Sequence, residues 1–226
     1  MARGVEWHRS ARESRRWRER LEAELQSRHT RLARAIGGLQ LTSDRMLDAM
    51  LSILTQSDRD AYLHARDVSA LATTIAERMG LPPQQVAVIR RAALLHDIGK
   101  LAMPEAILRK PAPLGADEQG IVRQYPALGA DLIAAVPFLT EAADIVRHTQ
   151  ERPDGRGYPG GLRADAISMG ARIVAAADAY LTMTSRRVFR DALGPAEAMR
   201  ELERCSGTQF DTRVVAVLKQ AIAPVH

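Results

Sequence analysis

Three stretches of the sequence carry residue types that hold metal ions or act on anionic oxygens. The densest is Leu94-Leu95-His96-Asp97-Ile98-Gly99-Lys100, where an imidazole and a carboxylate are adjacent at the end of an apolar run. Those are the neutral and anionic donors that a divalent ion of borderline hardness accepts. Lys100 follows His96 by four residues, so a continuing helical turn puts its ammonium on the same face, within reach of an anionic substrate oxygen. The plainer reading of this stretch is a helix C-terminus capped by Gly99, with His96 bonded to a carbonyl. His64 stands at the start of a long amphipathic pattern, four residues after Asp60, and alone reads as a half-buried helix histidine. Asp178 follows Ile173-Val174-Ala175-Ala176-Ala177, and a carboxylate in such a helix is costly unless paired or metal-bound. Its plainer reading is a buried salt bridge. Together His64, His96, Asp97 and Asp178 make a two-histidine, two-carboxylate set. Such a set suits iron, manganese or a similar divalent ion acting on an oxygen-rich substrate.

The elements that would position these residues are helices. Val68, Leu71, Ala72, Ile75, Ala76 and Met79 recur at three- and four-residue spacing, the apolar face of an amphipathic helix that Gly80 closes. Leu81-Pro82-Pro83 opens the next, whose buried face runs through Val86, Ile89, Ala93 and Leu94 toward His96. Further helices are expected over 43–56, 104–108, 116–125, 127–136, 140–150, 165–184, 195–204 and 211–221. Between them lies Pro153-Asp154-Gly155-Arg156-Gly157-Tyr158-Pro159-Gly160-Gly161, whose turn-formers make it a loop with specific backbone demands. No stretch alternates as a strand does. The expected fold class is all-α.

Composition bounds the function. The chain has 226 residues, 46% of them hydrophobic and 26% charged, which excludes disorder as its main description. Aromatics are 4%, so the core is built from Ala, Leu, Ile, Val and Met. The single cysteine, Cys205, excludes an internal disulfide framework and any multi-cysteine metal site. The net charge of +5 is unevenly placed: residues 1–34 hold ten arginines and five glutamates, and the remainder is neutral. A neutral body argues against nucleic-acid binding by the domain itself. Leu21, Leu25, Leu32 and Leu39 fall at heptad-like intervals, which permits a dimer without requiring one. We read residues 1–41 as an Arg-rich helical arm or linker and residues 42–226 as the domain. With arginines where a signal peptide needs its apolar stretch, and no run long enough to cross a bilayer, the expected location is cytoplasmic.

The order His64, His96-Asp97, Asp178 resembles the HD superfamily of metal-dependent phosphohydrolases. The stretches Leu94 to Leu114 and Asp154 to Pro159 are similar to its HD-GYP branch, with Gly157-Tyr158-Pro159 as the naming tripeptide. The stretch from Ala171 to Arg190, with Asp178, Arg187 and Arg190, matches as well. The resemblance implies a compact multi-helix bundle that hydrolyses the bacterial second messenger cyclic di-GMP with two or three metal ions. It further implies docking onto a cyclase-type partner through the GYP loop and control by an upstream receiver or sensor. Asp97 and Lys100 would be catalytic. Asp154, Gly157, Tyr158, Pro159, Arg187 and Arg190 would meet substrate or partner.

The departures from that pattern fall chiefly on the histidines that would serve a second and third metal. Tyr125 stands where the family has a histidine, Thr149-Gln150-Glu151 replaces His-His-Glu, and Leu181 replaces an aspartate. Tyr125 and Gln150 are the candidate replacement ligands, and both are poorer donors than imidazole. What remains, His64, His96, Asp97 and Asp178, is the minimal set of the superfamily and is expected to hold one ion rather than two or three. The expected function is a metal-dependent phosphodiesterase acting on a cyclic dinucleotide. The alternative is a degenerate module that binds a nucleotide or a cyclase-type protein.

Overall fold

The computed structural model describes residues 45, 47, 51, 59–108, 110, 112–185 and 192–223. The chain divides into two compact units, Met1–Ser57 and Asp58–His226. In the first, Arg45, Leu47 and Leu51 are described; all three are helical, and Leu47 and Leu51 are buried. The leucine-spaced arm lies outside the described residues.

The second unit is all-helical, with no strand among the described residues. Its helices are α1 (Arg59–Arg78), α2 (Pro83–Leu95), α3 (Glu105–Leu108), α4 (Ala116–Val122) and α5 (Tyr125–Ala134). They continue as α6 (Thr140–Arg147), α7 (Met169–Thr184), α8 (Pro195–Arg204) and α9 (Thr212–Ile222). A 3₁₀ turn over Ile98–Ala102 follows α2. The core is α1 packed on α2, α7 and α9, with α2 also against α6 and α7. Its buried faces are rich in alanine: Ala65, Ala72 and Ala76 on α1, Ala92 and Ala93 on α2, Ala171, Ala176 and Ala177 on α7. Short side chains let helix axes approach closely, which is how three helices converge near one point.

Several helix ends differ from the sequence expectation, each for a local reason. The segment expected as one helix over 116–125 stops at Val122, and Tyr125 instead opens α5 with Pro126 in its first turn. Proline lacks the N–H that a first turn does not need, so it starts a helix better than it continues one. α6 ends at Arg147 rather than Gln150, and the Thr149 hydroxyl donates back to the Val146 carbonyl at 3.0 Å. α7 starts at Met169, where the Ser168 hydroxyl accepts from the Ala171 amide.

Two backbone contacts shape the rest. Gly99 in the 3₁₀ turn lies directly on Gly129 and Tyr125 of α5: a β-carbon at Gly99 would clash with the Tyr125 carbonyl oxygen and sit 2.7 Å from the Gly129 nitrogen. The loop over 151–163 folds back on its own start, with the Tyr158 amide donating to the Gln150 carbonyl at 3.2 Å. A β-carbon at Gly157 would lie 2.5 Å from the Arg152 nitrogen and from the Glu151 α-carbon. The buried Glu151 carboxylate accepts from the Gly160 and Leu162 amides and closes the loop. Arg172, buried on α7, donates to Asp211 at 2.8 Å and to the Ile167 carbonyl at 2.8 Å, tying the start of α9 to α7.

Gly99→Ala therefore meets backbone that cannot yield, and we expect it to destabilise by about 1–3 kcal/mol or more in urea denaturation. Gly120→Ala, with nothing within 4 Å of its β-carbon, is expected to be neutral or to stabilise by up to about 1 kcal/mol. Glu151→Ala removes two charge-assisted bonds and is expected to cost about 1.5–3 kcal/mol. Hydrogen exchange checks the mechanism: the Gly160 and Leu162 amides should lose protection well beyond amides in α1 and α7.

Candidate metal centre

His96 caps α2 and is 1% exposed. Its Nδ1 lies 2.8 Å from the Ala93 carbonyl oxygen, which only accepts, so Nδ1 carries the proton. In the neutral ring Nε2 then carries a lone pair, and it is buried without a hydrogen-bond partner. The polar atoms nearest to it are carboxylate oxygens, Asp97 Oδ2 at 3.5 Å and Asp178 Oδ1 at 3.8 Å. Neither can donate to a lone pair when ionised. A cation among these atoms satisfies all of them, so the donor set fits a metal ion.

The other donors arrive from two further helices. His64 on α1 and Asp178 on α7 are joined by a 2.9 Å bond between Nε2 and Oδ1, and the Thr182 hydroxyl donates to the same oxygen at 3.1 Å. One ligand atom each from His64, His96 and Asp178 lie within 4.8 Å of one another. The His64 and His96 rings meet edge to face with centroids 5.9 Å apart. Burial raises the Asp178 pKa, yet the His64 hydrogen bond and the charges of His96, His64 and Lys100 outweigh it and hold the carboxyl well below the usual range. Burial likewise raises that of Asp97, but His96 and Lys100 lower it further than burial and Asp178 raise it. Both stay ionised, as ligands must be.

Asp97 stands at the edge of this cluster. Its Oδ2 accepts from Lys100 Nζ at 2.6 Å, so in this structure its nearest partner is the lysine. Lys100 Nζ also lies 5.2 Å from the centre of the Tyr125 ring, the consequence of the Gly99–Gly129 contact. Tyr125 is buried, and burial first, then Asp97, Tyr158 and Asp178, push its phenol far above its ordinary pKa. It is therefore a neutral hydroxyl and not a phenolate. Gln150 Oε1 faces the Tyr158 hydroxyl at 3.4 Å. His148 turns to Asp144 on its own helix, with Nδ1 at 3.5 Å from Oδ1. Arg187 and Arg190 lie outside the described residues.

A cleft of about 300 Å³ opens from Asp178. Gln150, Gly157 and Tyr158 line it, so the site and the GYP loop share one space. Asp154 is turned away from chemistry: its carboxylate takes a two-pronged bond from Arg152, at 3.0 and 2.7 Å, and one from the Arg156 amide, which together lower its pKa. Sequence reasoning passed over Arg123 and Arg156, which also line the cleft. Arg156 stood in plain view between the loop glycines. No local pattern marks Arg123, which reaches the cleft from the turn after α4.

Among the described residues no helix is long and apolar enough to cross a membrane. A family model for the HD domain matches residues 20–214. The chain is 38% identical over 178 residues to a cyclic di-GMP phosphodiesterase of Pseudomonas aeruginosa, covering 77% of this chain and 43% of that protein. It is 37% identical to a cyclic di-GMP phosphodiesterase response regulator of Xanthomonas campestris, covering 70% of this chain and 43% of that one. The chain thus spans less than half the length of these curated relatives. Among solved structures it is similar to an HDG"Y"P protein of Bdellovibrio bacteriovorus, with TM-score 0.58, 21% identity and coverage of 71% of this chain and 51% of that one. With the matched region taking in α1 to α8, and with them His64, His96 and Asp178, the chain belongs to the HD domain family and is related to the HD-GYP cyclic di-GMP phosphodiesterases.

Proposed function

We propose that the chain is a metal-dependent phosphodiesterase of HD-GYP type, acting on cyclic di-GMP or a related cyclic dinucleotide with a single ion. The observation that carries this reading is the buried lone pair of His96 Nε2, facing carboxylate oxygens that cannot satisfy it. His64, His96, Asp178 and Asp97 would hold the ion, with iron or manganese matching their mixed nitrogen and oxygen donors. Such an ion polarises a phosphoryl oxygen and acidifies a bound water. Support for one ion rather than more comes from the replaced ligands. A phenol and an amide oxygen are poorer donors than imidazole, and the Gln150 amide oxygen is turned to Tyr158.

The remaining roles belong to this chain's own groups. Lys100, 43% exposed and bonded to Asp97, can swing its ammonium to a phosphate oxygen and neutralise charge gathering there. The buried Tyr125 hydroxyl beside it is a neutral donor. Arg187 and Arg190 would orient the nucleotide. A second reading, a non-catalytic module binding a nucleotide or a cyclase-type partner through Asp154–Pro159, is favoured by the same replaced ligands.

Purified protein loaded with iron(II) or manganese(II) is expected to bind one equivalent of metal and to hydrolyse cyclic di-GMP to a linear product, separated by chromatography. His96→Ala is expected to lose metal affinity by about 100-fold or more, and Asp97→Ala to lose turnover. One bound metal with no turnover selects the second reading. No metal binding at all overturns the first.

A further inference from the structure

We propose that Arg123 and Arg156 form a second anion subsite in the cleft. It takes the phosphate of a cyclic dinucleotide that is not held at the His64–His96–Asp178 cluster. The proposal rests on the reading of the chain as a cyclic dinucleotide-binding protein, and it specifies how a site with few metal ligands holds a substrate carrying two phosphates.

The cleft wall contains three arginines, Arg123, Arg152 and Arg156, and two carboxylates, Glu151 and Asp178. Most of these charges are already committed. Glu151 accepts from the Gly160 and Leu162 amides. Asp178 is bonded to His64 and Thr182, and Arg152 is bonded through Nε and Nη2 to Asp154. Arg123 and Arg156 are different. Both are exposed, and among the described residues neither guanidinium forms an ion pair. Arg123 is stacked, its guanidinium carbon 5.7 Å from the centre of the Tyr158 ring. Stacking orients the planar group through its face and consumes none of its five N–H donors, which remain for an anion. Arg156 is fixed at its backbone, where its amide donates to Asp154 at 3.0 Å, so its side chain projects from an ordered turn.

A stacked guanidinium on Arg123 and a projecting one on Arg156, sharing a cleft with Asp178, form a cationic surface beside the candidate metal cluster. A phosphodiester carries a single charge on two free oxygens, which suits the planar fork of an arginine. A cyclic dinucleotide has two such groups, and one ion serves one of them. The second therefore needs positive charge supplied by side chains, and these two arginines are the uncommitted cations lining the cleft among the described residues. The subsite accordingly selects for dinucleotides over nucleotides with a single phosphate.

The test is equilibrium binding of cyclic di-GMP to the manganese-loaded full chain across a range of salt, with 3′,5′-cyclic GMP as the single-phosphate comparator. Arg123→Ala and Arg156→Ala are each expected to weaken cyclic di-GMP binding about tenfold and to flatten its salt dependence. Manganese content and cyclic GMP affinity should stay at wild-type values. Arg123→Lys, which keeps the charge, is expected to recover most of the salt dependence. Wild-type affinity and salt dependence in the double alanine variant would overturn the subsite and leave the functional reading standing. An Arg123→Lys variant as weak and as salt-insensitive as Arg123→Ala would also overturn it, because Arg123 would then act only through Tyr158. Wild-type protein that binds manganese but no cyclic di-GMP would overturn both.

Discussion

A neutral imidazole that donates from Nδ1 has only a lone pair at Nε2, and in His96 that lone pair is sealed among oxygens that are themselves acceptors. A buried group left in this state costs free energy, and a cation beside it would relieve that cost. The same demand explains Asp178, a carboxylate in the middle of an alanine-rich helix. It explains as well why α1, α2 and α7 meet through small side chains, since bulkier ones would hold His64, His96 and Asp178 apart.

A second set of contacts builds the space around that centre. The backbone of the 3₁₀ turn rests on α5 at Gly99 and Gly129, which brings Lys100 and Tyr125 side by side. The loop over 151–163 rests on its own beginning at Gly157, which sets the Tyr158 ring against the cleft. In both places a missing side chain lets the backbone close up and so positions the neighbouring side chain. Charge follows the same division: Asp154, Glu151 and Arg152 hold the loop together, and the cations left over lie on the cleft wall.

Most of this was legible in the sequence wherever a periodic pattern or a costly residue type announced itself. The apolar stripe from Val68 to Met79 shows α1, and Asp178 stands out because a carboxylate in that company demands a partner. The adjacency of His96 and Asp97 is plain in the sequence, whereas the orientation of the His96 ring is not, because it depends on a carbonyl one turn back. Helix ends were read less well: Tyr125 opens a helix rather than closing one, a consequence of Pro126 that the apolar pattern masks. Arg123 was invisible for a different reason. Its role arises from the fold bringing the turn after α4 to Tyr158, thirty-five residues further along the chain, and no local pattern encodes that meeting.

Glu151 does its structural work through its own carboxylate and through the backbone of its neighbours. Thr149 turns its hydroxyl back to Val146, and the Gln150 amide oxygen meets the loop again at the Tyr158 hydroxyl. Loop architecture therefore runs mainly through Glu151 and the Gln150 carbonyl, with one side-chain contact at Gln150 added to it. The loop is thus hung from one carboxylate, so a change of side chain at 149 leaves in place the bonds that present Tyr158 to the cleft.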